Sequence, residues 1–145
     1  MNIRIVTNQQ LDDAFFVRKA VFIDEQQVAV EEEIDEYEDS SVHFVLYNDQ
    51  NEPVGAGRFR ELDGYGKVER ICVLPTYRQS GAGHNIMKAI EEYASQHGVQ
   101  KLKLNAQTHA IPFYEKLGYH IISEEFLDAG IPHRTMVKHT CITTI

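Results

Sequence analysis

The stretch KVERICVLPTYRQSGAGHNIMKAIEEY, from Lys67 to Tyr93, carries the residues best suited to hold a charged ligand. A β-branched strand runs through Pro75 into Arg78, Gln79, Ser80, Gly81, Ala82 and Gly83, and a helix follows. Two glycines let the backbone curl without Cβ clashes, so successive N–H groups can point into one concavity. The helix beginning near Ala82 leaves its first four N–H groups without intrahelical partners and adds the positive end of its macrodipole. Such a turn suits a phosphate or a diphosphate. The spelling excludes two familiar nucleotide sites. There is no Gly-x-x-x-x-Gly-Lys-Ser/Thr, so the lysine and magnesium-binding hydroxyl of a P-loop are missing, and no full G-x-G-x-x-G, so the dinucleotide fingerprint fails. Glycines before a helix also serve any tight strand-to-helix connection, and this segment alone leaves that structural reading open.

The elements around this turn can be placed from periodicity. Met1 to Thr7 alternates and reads as a strand, with Asn8 as an N-cap, and from Gln9 to about Gln27 the residues Leu11, Phe15, Val17 and Phe22 predict a helix broken near Ile23. Val42 to Tyr47 and Pro53 to Leu62 read as strands joined by a turn at Asn48 to Asn51, and Lys67 to Leu74 completes an antiparallel meander. Strict alternation there puts Glu69, Ile71 and Val73 on one face, with Val68, Arg70 and Cys72 on the other. Ile86, Ile90, Tyr93, Ala94 and His97 follow a helical repeat that Gly98 ends, which makes His97 a residue of the last turn rather than a catalyst. Lys101 to Ala106 is a strand parallel to Lys67–Leu74, because a helix crossover joins them. A short helix from His109 to Leu117, ended by Gly118, and a hairpin of Tyr119–Glu125 with Ile131–His139 complete the chain.

Size and composition bound the function. A chain of 145 residues with 43% hydrophobic content is one globular domain, residues 1–145, without need of disulfide or metal staples. No apolar run approaches about 18 residues and no charged-then-apolar leader is present, so the expectation is a cytoplasmic protein without a membrane span. Cys72 and Cys141 lack any CxxC spacing and read as reduced thiols, with no metal site. The net charge of −8 opposes nucleic-acid binding. The run EEEIDEYED at Glu31–Asp39 reads as a solvated loop that would also attract a cationic acceptor.

The strand ERICVLP, its spacing to RQSGAG and the following helix resemble the acyl-CoA-binding element of the GNAT N-acetyltransferases. AIPFYEKLGY at Ala110–Tyr119 resembles the A-x-x-F-Y-x-x-x-G-F segment of that family, with Tyr119 in place of the usual Phe. Arg18 to Gln26, Asn105 to Gln107 and Gly130 to His133 look like signatures of its ElaA/YjcF-like branch, so the resemblance spans nearly the whole chain. It implies an α/β (α+β) GNAT fold, a mostly antiparallel sheet of six to seven strands with a splayed parallel pair at its centre and flanking helices. It implies acetyl-CoA as cosubstrate and an unidentified primary amine as acceptor, acetylated by direct attack in a ternary complex. Backbone groups of Ile71, Cys72 and Val73 would hold the pantetheine arm, and Arg78, Gln79, Ser80, Gly81, Ala82, Gly83 and His84 the diphosphate. Phe113 closes the cofactor site, and Gln107 would bond the cofactor arm or an active-site water. Tyr114 is the implied general acid.

The expected base is Glu69, the nearest carboxylate on that face, although some relatives carry theirs where Lys67 stands here; His133 and His109 are alternatives. Arg18, Glu25 and His133 are candidates for the acceptor pocket, with an Arg18–Glu25 ion pair as the structural reading of the first two. A homodimer is compatible with the resemblance. Two competing functions are an acyl-CoA sensor without turnover and an acyltransferase using Cys72 as nucleophile, the latter disfavoured because alternation points Cys72 away from Glu69.

Overall fold

The computed structural model describes residues 1–7 and 10–140; the expected cap Asn8, the expected helix start Gln9 and the thiol of Cys141 lie outside the described residues. The strands are β1 (Asn2–Val6), β2 (Val42–Tyr47), β3 (Pro53–Leu62), β4 (Tyr65–Val73), β5 (Lys101–Gln107), β6 (His120–Ile121), β7 (Phe126–Asp128) and β8 (Ile131–His139). The helices are α1 (Leu11–Arg18), α2 (Val30–Glu33), α3 (Ala82–Gln96) and α4 (Ile111–Lys116), with a π-helical stretch from Lys19 to Glu25 continuing α1. The sheet runs β1-β2-β3-β4-β5-β8-β6, with β7 also on β8, and among the described residues only β4 and β5 pair in parallel. The mostly antiparallel sheet with a central parallel pair is the arrangement implied above, with eight strands among the described residues where six to seven were expected.

The additional strand has a local cause. Of the segment read as one strand, Tyr119–Glu125, only His120–Ile121 pairs as β6, and pairing resumes beyond it at Phe126 as β7, because Ser123 interrupts the ladder: its hydroxyl, not a carbonyl, accepts the Thr135 N–H at 2.8 Å. Ile122 still donates to the Thr135 carbonyl at 2.9 Å, so the chain stays in place around the gap. The β7–β8 turn is two residues long, with Ala129 at φ 53° and Gly130 at φ 76°. Positive φ at both central positions is the geometry whose twist matches a hairpin.

Helix α3 lies across one face of the sheet. Ile86, Met87, Ile90 and Ala94 are fully buried against Phe44, Leu46, Phe59, Val68, Leu102, Leu104 and Met136. Truncating a residue such as Ile90 to Ala in this layer would cost about 2–5 kcal/mol. The helix can come this close because β3 offers no side chain there: a Cβ on Gly55 would lie 2.8 Å from Ile86, and one on Gly57 3.0 Å from both Ile86 and Ile90. Helix α1 and the π-helical stretch cover the other face, where Val17, Val21, Ala56 and Cys72 form a separate cluster. In the π-helical stretch the Gln26 N–H reaches back five residues to Val21 at 3.0 Å, and this wide turn replaces the break expected near Ile23.

Candidate active site

The parallel pair is joined for a short distance only. Gly66, Lys67 and Val68 pair with Leu102, Lys103 and Leu104, and beyond that point the strands part. At the fork β4 carries a bulge: Ala56 faces Cys72 but Arg58 faces Glu69, and Arg70 takes φ 58°. An extra residue in one strand reverses the side-chain alternation beyond it. Val68 therefore shares the α3 face with Ile71 and Val73, while Glu69 shares the α1 face with Cys72. This corrects the expectation that Glu69, Ile71 and Val73 lie together, and it removes the argument from orientation against Cys72.

The fork opens into a cleft of about 760 Å³, lined by both strands, the π-helical stretch, the glycine turn, α4 and the β7–β8 hairpin. Leu74 donates its N–H to Val54 at 2.9 Å. Strand alternation then turns the main-chain groups of Ile71 and Val73 away from β3, toward the cleft. The Val73 carbonyl accepts from Arg78 Nε at 2.9 Å, as that direction requires.

At one end of the cleft the turn forms the concavity expected of it. Gln79 has φ 64° and Gly81 φ 85°, two left-handed residues around Ser80, and the Ser80 hydroxyl donates to the Tyr77 carbonyl. The first internal bond at the start of α3 is Asn85 N–H to the Gly81 carbonyl at 3.0 Å. Among the described residues, no amide from Gln79 to His84 has a main-chain or side-chain acceptor. Gly83 presses on α4: a Cβ there would sit 3.1 Å from the Phe113 ring. Arg78 is engaged rather than free, its guanidinium meeting Glu25 at 2.6 and 2.8 Å. Each partner steadies the other's charge: Arg78 holds the Glu25 carboxyl below its usual range and Glu25 raises the Arg78 pKa.

Tyr114 borders the cleft, 8% exposed, with its hydroxyl free of hydrogen bonds among the described residues. Burial, then the nearby Cys72 thiol, raises its pKa, so the phenol stays protonated. Cys72 is 5% exposed and burial pushes its thiol up to about 12, which leaves too little thiolate for a nucleophile. Glu69 borders the cleft too, but Arg58 Nη2 donates to it at 3.0 Å and Arg60 Nε at 2.7 Å. Burial alone would raise its pKa; the hydrogen bond from Arg60 and the charges of both arginines outweigh that and lower it. Gln107 and Gln26 exchange side-chain hydrogen bonds at 2.9 and 3.3 Å across the cleft. His133 is 8% exposed and lines the cleft with its Nδ1 against the Ile131 carbonyl; His109 also lines the cleft.

Arg18 is not an acceptor-pocket residue and does not pair with Glu25. It is 1% exposed, outside the cleft, and its donors are spent on Glu33 and Glu38, the closest at 2.6 and 2.7 Å. Arg58, fully buried, joins the same cluster through Asp35 at 2.8 Å and Glu38 at 3.1 Å, and Arg70 adds contacts to Glu33 and Asp35. The acidic run is therefore divided: Glu33, Asp35 and Glu38 turn into the cluster, while Glu31, Glu32, Glu36 and Asp39 stay exposed as expected of a solvated loop. Burial would raise the carboxyl pKa values, yet the arginines hold Glu38 and Asp35 down to about 2. Sequence reasoning missed Arg58 and the Gln26–Gln107 bridge: Arg58 sits in a strand pattern that flags no burial, and glutamine pairs leave no signature of spacing.

The bulged fork and the amide cradle lie within residues 6–140, which match the acetyltransferase (GNAT) domain family. The chain belongs to that family, a class of N-acetyltransferases. It is 59% identical over 131 residues to the uncharacterized N-acetyltransferase YjcF of Bacillus subtilis, an alignment covering 90% of this chain and 93% of that protein. Among solved structures it is similar to a putative N-acetyltransferase from Lactobacillus plantarum, with TM-score 0.88 and 26% identity over 97% of this chain and 100% of that one. Escherichia coli ElaA shares the fold, with TM-score 0.86 and 22% identity over 96% of this chain and all of the other.

Proposed function

We propose that the protein transfers an acetyl group from acetyl-CoA to a primary amine by direct attack within a ternary complex. The observation that carries this reading is the run of unpartnered amides from Gln79 to His84 at the head of α3, beside a fork that frees the cleft edge of β4. These amides and the helix N-terminus would hold the diphosphate, and the close Gly83–Phe113 contact keeps the floor of that site narrow. Main-chain groups of Ile71 and Val73 would bind the pantetheine arm as an added strand. When bound, acetyl-CoA supplies a thioester whose carbonyl carbon is open to attack. The Val73 N–H would polarise the carbonyl oxygen, a role worth roughly 3 kcal/mol elsewhere.

Tyr114 would protonate the departing thiolate. Its raised pKa keeps the proton available but makes the transfer uphill, so position rather than acidity carries the assignment. Glu69 is ionised at neutral pH and would draw the ammonium form of the acceptor toward the fork. With two arginines on it and a lowered pKa it is a weak base, so we assign it proton acceptance through water. We place the activity in the cytoplasm, a reducing compartment in which the buried free thiol of Cys72 would persist.

The test is a calorimetric titration with acetyl-CoA together with thiol release across a panel of primary amines. Binding with turnover that falls in Tyr114→Phe supports the transferase. Binding without turnover on any amine would make the protein an acyl-CoA sensor, and absence of binding would remove the reading altogether.

A further inference from the structure

Three cations stand in one row across the middle of the sheet. The β3–β4 register sets Arg60 opposite Lys67, and the β4–β5 register sets Lys67 beside Lys103. Like charges directly opposite one another destabilise a strand pair, so such a row calls for compensation. Two members have it. Arg60 donates to Glu69 and lies over the Tyr37 ring at 3.9 Å, and Lys103 lies over the Tyr65 ring at 5.2 Å. Lys67 has none: among the described residues its ammonium makes no ion pair and no hydrogen bond, although it borders the cleft. The carboxylate two residues along the same face, Glu69, is already shared by Arg58 and Arg60. The two other arginine side chains that line the cleft are spent as well, Arg70 on Glu33 and Asp35, Arg78 on Glu25.

The fold gives no reason for an uncompensated cation between two others at the edge of an open cleft. We propose that Lys67 receives an anionic group of the acceptor, so that the acceptor is a small amine that also carries a carboxylate or phosphate. This inference rests on the N-acetyltransferase reading above. Lys67 and Glu69 leave the same face of β4 about 7 Å apart along the strand, so an acceptor with its amine at the Glu69 end would carry its anion a few bonds away. A plain alkylamine or a polyamine would leave the row uncompensated.

The experiment compares matched pairs with acetyl-CoA: n-alkylamines against ω-amino acids and ω-aminoalkylphosphonates of the same chain length, read as thiol release. The anion-bearing member is expected to have kcat/KM about tenfold higher, mainly through KM, as for one charged hydrogen bond. Lys67→Met should bring the ratio within about twofold, Lys67→Glu should invert it, and Lys88→Met, a change at an exposed position of α3, should preserve it. Equal rates within the pairs, or a preference that survives Lys67→Met, would overturn the proposal. If coenzyme A binds but no amine turns over, the transferase reading fails by itself. The same pairs are then titrated onto the coenzyme A complex, where tighter binding of the anionic member that is lost in Lys67→Met supports the anion site and equal binding refutes it.

Discussion

At the scale of single residues, the site separates groups that keep their proton from groups that have lost it. Tyr114 is raised by burial and Glu69 is lowered by two arginines, so neither changes charge between about pH 5 and 10. The rise of kcat/KM with pH should therefore follow the acceptor amine, whose ordinary pKa is near 10.4, with no limb from the enzyme in the neutral range. A pH–rate profile with an inflection between pH 6 and 8 that persists when the acceptor is changed would contradict this. Tyr114→Phe should lower kcat by about 100-fold or more while acetyl-CoA affinity stays within a few-fold, since a general acid acts in the transition state. Thiol release and calorimetry on the folded variant check both halves. The identity of Tyr114 as a candidate was legible because the segment from Ala110 to Tyr119 has a distinctive spelling. The state of Glu69 was not, because Arg58 and Arg60 reach it from a neighbouring strand and nothing in local spacing reveals a pairing across strands.

At the scale of elements, the glycine turn and the bulge do different work and were unequally visible. Gly81 sits at φ 85°, where a β-branched side chain is strained, and Gly83 has the Phe113 ring 3.1 Å from where a Cβ would stand. Gly83→Val should weaken acetyl-CoA binding by at least about tenfold, because α4 must shift away from the cradle; a titration that finds unchanged affinity would show that the turn tolerates a wider floor. The turn could be read from sequence since glycine announces it. The bulge could not, because the left-handed residue there is Arg70, and nothing in the composition of ERICVLP marks where alternation reverses. The strands β2 and β3 were legible to the residue because each has polar turn chemistry at its ends and a continuous apolar centre, whereas Ser123 broke the last hairpin through one hydroxyl.

At the scale of the whole molecule, the charge cluster under the cleft ties the segment from Arg18 to Glu38 to strands β3 and β4. Removing one partner leaves a buried charge uncompensated, so Arg58→Met should cost about 3–5 kcal/mol of unfolding free energy by urea denaturation. The pH dependence has a definite sign. Asp35 and Glu38 sit near 2 when folded and near their ordinary 3.8 and 4.5 when unfolded. Their contribution is thus complete above about pH 5 and is lost as pH falls toward 2, of order 3 kcal/mol for Glu38. Melting scans between pH 7 and 3 should show the drop, and a flat profile would mean that the carboxylates gain nothing on folding. Meanwhile Glu25 and Gln26, adjacent in the chain, reach to opposite banks of the cleft, one to Arg78 by the glycine turn and the other to Gln107 at the end of β5. They join the banks like a clasp with two hooks on one bar, and a diphosphate that drew Arg78 from Glu25 would loosen the bar that Gln26 also holds. Acetyl-CoA should accordingly bind before the amine, and initial-rate patterns with a dead-end coenzyme A analogue would reveal that obligatory sequence.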